Sequence, residues 1–187
     1  MGERFDIHTT PLEGLMVIHR KPITDERGFL SRFYCAGAFR RIGLEKPIIQ
    51  INHTLTWKRG TVRGLHFQCP PYAEWKIVSC LRGEVFDVAV DIRKDSPTFL
   101  HWHSEILTAG NQKSFSIPEG FAHGFQTLTD DCELLYFHTA AFEPDAEGSL
   151  NVNDPRIGIS WPVVMTDMSD RDRSHPFIDF DYQGVSL

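Results

Sequence analysis

The 187 residues predict an all-β fold, a double-sheet jelly roll (double-stranded β-helix) with a few short helices. Three observations carry this. Short apolar runs recur with turn residues between them, helical periodicity is weak over most of the chain, and the counts of Phe (14) and Pro (11) suit a turn-rich β protein. In order, Gly14-Leu15-Met16-Val17-Ile18 reads as a strand, and residues 36–42 carry a short helical pattern. Lys76 to Leu81 and Val85 to Ile92 read as two strands joined at Arg82-Gly83-Glu84, which predicts a tight hairpin turn. Leu134 to Thr139 is a further strand, and residues 169–173 a second helical stretch. With no internal repeat and no linker, one domain over 1–187 is expected. A double-sheet roll protects most strand edges, and strand exchange in a dimer would cover others.

Composition narrows the function. Hydrophobic residues make up 41% and charged residues 24%, the balance of a globular protein with a core. A formal charge of −6 argues against a general nucleic-acid binder, yet a few arginines can still hold one anionic ligand. The first residues lack the apolar core of a signal peptide, and no apolar run approaches the roughly 18 residues of a membrane helix. Cys35, Cys69, Cys80 and Cys132 form no C-x-x-C pair and read as reduced thiols. No membrane or nucleic-acid partner and a cytoplasmic location are the expectations.

Two segments set ionisable residues among apolar ones. Arg63-Gly64-Leu65-His66-Phe67-Gln68 is followed by Lys76, and the other is Ile117-Pro118-Glu119-Gly120-Phe121-Ala122-His123-Gly124-Phe125. Either histidine alone suits a hydrogen-bonded core residue. Two of them, with Arg63 and Lys76 nearby, point to a pocket. Around His66 there is no second histidine two residues away, as a metal-binding jelly roll would need. His101-Trp102-His103, with Glu105, has that spacing and keeps a metal-dependent alternative open. His8, His19, His53, His138 and His175 read as surface or structural.

These segments, in this order, resemble the dTDP-4-dehydrorhamnose 3,5-epimerase family over nearly the whole chain. The resemblance also runs through Asp25-Glu26-Arg27-Gly28-Phe29, Gln50-Ile51-Asn52-His53, Gly83 to Arg93, Ser96-Pro97-Thr98, Asn153-Asp154-Pro155 and Ile159-Ser160-Trp161-Pro162. It implies a metal-free, cofactor-free cupin-type jelly roll and a homodimer acting on a nucleotide-diphosphate 4-keto sugar. It further implies His66 as catalytic base, Asp172 as its carboxylate partner, Tyr136 as the opposing acid and Lys76 beside the ketone oxygen. Arg27 and Arg63 would hold the diphosphate, and Gln50, Asn52 and His123 would make further substrate contacts. Taken singly, Tyr136 also suits a core strand, Asp172 a helix cap and the arginines a solvated face.

The chemistry asks for such groups. A ketone at C4 acidifies the hydrogens on C3 and C5, because the carbanion is delocalised as an enolate. Inversion needs a base on one face and an acid on the other. Histidine, with an ordinary pKa near ~6.5, can take a proton, and a buried aspartate orients it. Lysine can stabilise the oxyanion, and tyrosine stays protonated at neutral pH.

Five positions depart from the family pattern. Phe142 replaces a second tyrosine, Arg32 a glutamate, and Ser116 and Val152 tryptophans, while a glutamine before the lysine is replaced within Glu74-Trp75-Lys76. Reversed charge and lost stacking surface lead to the expectation of a non-standard nucleotide (CDP or GDP) or sugar. The missing tyrosine leaves C3-only epimerisation open. A metal-dependent cupin enzyme and a non-catalytic sugar-nucleotide binder are the competing classes.

Overall fold

The protein, described by a computed structural model over residues 4–187, is built from two facing antiparallel sheets. The chain begins with strands β1 (Phe5–Thr9), β2 (Met16–Arg20), β3 (Ile23–Asp25) and β4 (Gly28–Leu30), then helix α1 (Ala36–Phe39). Strands β5 (Gln50–Thr56), β6 (Val62–Gln68), β7 (Lys76–Arg82), β8 (Glu84–Asp91) and β9 (Trp102–Thr108) follow. The rest comprises β10 (Lys113–Ile117), β11 (Phe121–Thr127), β12 (Cys132–His138), β13 (Glu147–Ser149) and helix α2 (Asp170–Arg173). One sheet has the order β1-β2-β10-β7-β12-β5 and the other β13-β6-β11-β8-β9; β3 and β4 form a separate ribbon. The jelly roll and the short helices match the expectation.

The Arg82–Glu84 turn differs from the hairpin expected there. Gly83 does turn the chain, at φ 78°, but β7 and β8 belong to opposite sheets. Both edges of β7 are taken by β10 and β12, and both edges of β8 by β11 and β9. The turn is a corner between layers, and a Cβ on Gly83 would lie 2.7 Å from the Cys132 sulfur.

Strand alternation explains the core. Val78 and Cys80 of β7, Val85 and Ala89 of β8, Phe121 and Phe125 of β11, and Leu134 and Tyr136 of β12 pack between the sheets. The opposite face of β8, with Val88 and Val90, is covered by Leu150, Val152 and Ile157. Burial on both faces is why Val88, Ala89 and Val90 follow one another on β8 with no polar residue between them. That C-terminal cover is tied down beside β6, where Val62 N–H donates to Asp167 C=O at 3.0 Å. It carries α2 to the edge of the interlayer space.

Candidate active site

Towards one end of the sandwich the inward-facing positions change from apolar to ionisable. On β12 the series Cys132, Leu134, Tyr136 ends at His138; on β7 the series Cys80, Val78 ends at Lys76. On β11, His123 lies between Phe121 and Phe125, and on β8 Asp87 lies between Val85 and Ala89. Tyr136, His138, Lys76 and His123 converge on a cleft of about 550 Å³. Register fixes the rows: Tyr136 pairs with Asn52 and Val78, and His138 with Gln50 and Lys76. On the facing sheet His66 pairs with His123. Gly64 and Gly124 permit this close approach, since a Cβ on Gly64 would stand 2.6 Å from the Gly124 Cα.

His66 and Asp172 meet at 2.8 Å, Nε2 to Oδ1. Ser169 caps α2 by accepting the Asp172 N–H at 3.0 Å, which aims the carboxylate at β6. Its other oxygen accepts the Gly64 N–H at 3.3 Å. Burial opposes ionisation of Asp172, but the hydrogen bond and charge of His66, with the Gly64 N–H, outweigh it and hold the carboxyl below its ordinary range. With Nε2 on Asp172, Nδ1 is the His66 nitrogen left for a ligand. His66 lines the cleft with 32% of its side chain exposed.

Across the cleft, Tyr136 is buried, and that burial, reinforced by the Asp87 charge, pushes the phenol above its ordinary range. Lys76 lies 3.0 Å from Glu74, whose second oxygen lies 2.7 Å from His138 Nδ1. Burial works against the Glu74 charge, yet Lys76 and His138 outweigh it and hold the carboxyl down to about 2. Behind the cleft His123 Nε2 meets buried Asp87 at 2.9 Å. The arrangement sets a reachable imidazole opposite a protonated phenol, with an ammonium in the wall between them.

A model of the family described as dTDP-4-dehydrorhamnose 3,5-epimerase matches residues 9–179. The enzyme of that name from Salmonella typhimurium is 44% identical over 172 residues, covering 91% of this chain and 93% of its own. The Methanothermobacter thermautotrophicus enzyme is 41% identical over 168 residues, covering 88% and 90%. The chain belongs to the dTDP-4-dehydrorhamnose 3,5-epimerase family. It is an isomerase of the epimerase class. Among solved structures, the Legionella pneumophila epimerase in complex with dTDP-4-keto-L-rhamnose superposes with a TM-score of 0.90 at 36% identity, covering 97% of this chain and 98% of that one. A 3'-monoepimerase from Streptomyces bikiniensis, in complex with dTDP-quinovose, gives 0.82 at 32% identity, covering 91% and 86%.

Of the residues singled out in the sequence, His66, Asp172, Tyr136, Lys76, Arg63, Asn52 and His123 line this epimerase's cleft. Gln50 stands one step behind it, donating to Asn52 Oδ1 at 3.1 Å and accepting the Phe142 N–H at 3.1 Å. Arg27 sits on the exposed β3–β4 ribbon, paired with Asp25 at 2.6 Å, outside the cleft of its own chain.

Two histidines read as surface or structural are placed differently. His138 is part of the cleft wall, and His175 abuts Asp172 at 3.4 Å. Burial and the His66 charge push the His175 pKa down. Nothing local announces either one: His138 ends an apolar strand and His175 lies in a polar tail. The His101–Glu105 segment forms no three-donor group among the described residues. His103 meets Glu105 at 3.2 Å, and that carboxylate also holds Lys113 at 2.7 Å.

The family departures divide in the same way. Only Glu74 and Phe142 reach the cleft. Val152 is core beneath β8, and Ser116 is buried on β10, where it accepts the Trp75 indole N–H at 2.8 Å. Arg32 is exposed and outside the cleft. Ser116 and Val152 are therefore remote from the ligand, and Arg32 lies outside the cleft of its own chain.

Proposed function

We propose that this epimerase inverts C3 and C5 of a dTDP-linked 4-keto-6-deoxy sugar, with His66 as base and Tyr136 as acid. The observation that carries the reading is His66 on one sheet, 2.8 Å from Asp172 of α2, across the cleft from buried Tyr136 on the other sheet. Asp172 accepts the Nε2 proton of neutral His66, so Nδ1 presents its lone pair to the sugar. As Nδ1 takes the C–H proton, the imidazolium is stabilised by the carboxylate. Charge moves to the C4 oxygen, where the Lys76 ammonium offsets it. The Tyr136 hydroxyl returns a proton from the opposite side, and its raised pKa keeps it protonated until then. Arg63 at the cleft edge and Asn52 on its wall hold the remainder of the ligand. The dTDP carrier is supported by the ligand of the Legionella complex and by the placement of Ser116 and Val152 in the core rather than in the cleft.

The working form in this reading is a homodimer. The β3–β4 ribbon exposes Phe29 at 66% and Leu30 at 62%, apolar surface that a second copy would cover. Arg27 on the same ribbon would then serve the diphosphate in a cleft other than its own. The four free thiols agree with a reducing cytoplasm.

A second reading is inversion at C3 alone. It is favoured by Phe142, which brings a phenyl ring to the cleft where the family resemblance implies a phenol. Deuterium uptake from D₂O, read by mass and NMR across dTDP-, CDP- and GDP-4-keto sugars, tests both. Label at C3 and C5 of the dTDP substrate is expected; label confined to C3, or faster uptake with another nucleotide, overturns the first reading. A His66→Ala variant that exchanged protons at the parent rate would remove the assignment of the base.

A further inference from the structure

His175 carries a group that the epimerase chemistry does not use. Its side chain is 9% exposed, and Nε2 is buried without a hydrogen-bond partner. Buried polar atoms are normally satisfied, so this orphan calls for a ligand. Nε2 is aimed at the Asp172 Oδ1 that also meets His66, at 3.4 Å from the first ring and 2.8 Å from the second. All three donor atoms lie within 4.8 Å of one another. The far nitrogen of the ring, Nδ1, is 2.9 Å from the Ser149 hydroxyl, and the Asn151 amide donates to the His175 carbonyl at 2.8 Å.

We propose that His66, Asp172 and His175 form a binding site for a divalent transition metal of the zinc class, whose occupation switches the epimerase off. Ligands at about 2.0–2.1 Å from a tetrahedral ion stand about 3.3 Å apart; Asp172 lies 2.8 Å from His66 and 3.4 Å from His175, and the three donors within 4.8 Å of one another can close on an ion. The Ser149 contact is the outer-sphere anchor that a metal-bound histidine ordinarily has. His66, partly exposed to the cleft, gives the ion an entry path and leaves the fourth position to water. Imidazole with carboxylate selects zinc-class ions over calcium or magnesium, which take oxygen sets.

Inactivation follows from one proton. An imidazole bound to metal through Nε2 keeps its hydrogen on Nδ1, so the nitrogen facing the sugar has no lone pair. The ion also takes Asp172 away from His66. The loss therefore falls on kcat. This consequence rests on His66 being the base, whereas binding of the ion does not.

Zinc added to the purified protein, followed by desalting and metal quantitation, is expected to leave a single ion per chain and to abolish proton exchange until a chelator is added. Cobalt in its place should show the visible absorption of a tetrahedral site. His175→Gln should raise the zinc midpoint for inhibition at least about tenfold, since removing even an outer partner costs that much. His66→Asn should lose the cobalt spectrum. Zinc held equally by both variants overturns the site, and zinc held by the parent with undiminished turnover overturns the switch. If His175→Gln fails to fold, anomalous scattering from a zinc-soaked parent crystal locates the ion, and a peak elsewhere overturns the assignment. Proton exchange lost in metal-free His66→Ala tests the base separately.

Discussion

Two histidine–aspartate pairs stand side by side in this sandwich, on adjacent strands and in register. His66 meets Asp172 at 2.8 Å and His123 meets Asp87 at 2.9 Å. Bond length does not distinguish them; their surroundings do. His66 is 32% exposed to the cleft, His123 only 7%. Both Asp172 oxygens have partners, whereas Asp87 Oδ2 has none among the described residues. A group that moves protons must be reached by its ligand, and its counter-ion must stay ionised through the cycle. The first pair meets both conditions, and the second is built into the wall.

That contrast can be broken by experiment. His66→Ala should lower kcat by about 10²–10⁴-fold, the usual share of a positioned base, with a smaller loss of stability than His123→Ala because the Gly64 N–H still meets Asp172. His123→Ala should do the reverse: it leaves Asp87 buried and unpaired, at a cost of about 3–5 kcal/mol, read by urea unfolding. If His123→Ala proved the worse catalyst and the better folder, the two roles would have to be exchanged.

Asp172→Asn sharpens the first pair, with an expected loss of roughly 10²-fold in kcat. Because the folded pKa of Asp172 is lowered, its ionised form adds stability above the ordinary carboxyl range, and that stability is lost as pH falls through the folded value. The stability gap between parent and variant should therefore narrow on acidification. A gap that stays constant as pH falls would show that the fold does not hold Asp172 ionised.

The smallest effect expected is from Phe142→Tyr. A new phenol at the cleft is worth about 0.5–1.5 kcal/mol, a several-fold change in the C3-to-C5 labelling ratio in D₂O. An unchanged ratio would mean that Phe142 has no part in choosing the centre.

Much of the site was legible along the chain. His66, Lys76 and His123 stand out because ionisable residues interrupt apolar strands, and the same alternation places Tyr136 on an inward face. Asp172 is different: a charged stretch says nothing of a partner, and only the family resemblance linked it to His66. His138 and His175 escaped for the same reason. Their meaning comes from Glu74 and Asp172, brought beside them by strand register and by a helix cap. The ligand argument from the family departures failed for Ser116 and Val152, because sequence position does not tell a cleft residue from one buried in a sheet or beneath it.

The all-β class and the apolar runs follow from local pattern, since alternation and turn residues act over a few bonds. The polarity that ends those runs is equally local. Which layer each run joins was decided by tertiary structure, as Gly83 shows by turning the chain between sheets rather than into a hairpin. Which histidine receives a buried carboxylate and keeps an open face was decided there too. His66 and Asp172 are 106 residues apart, and their meeting depends on β6, the C-terminal cover and α2 packing at once. Side-chain chemistry is carried by the residue, but pairing, burial and charge state are properties of the space that the fold encloses.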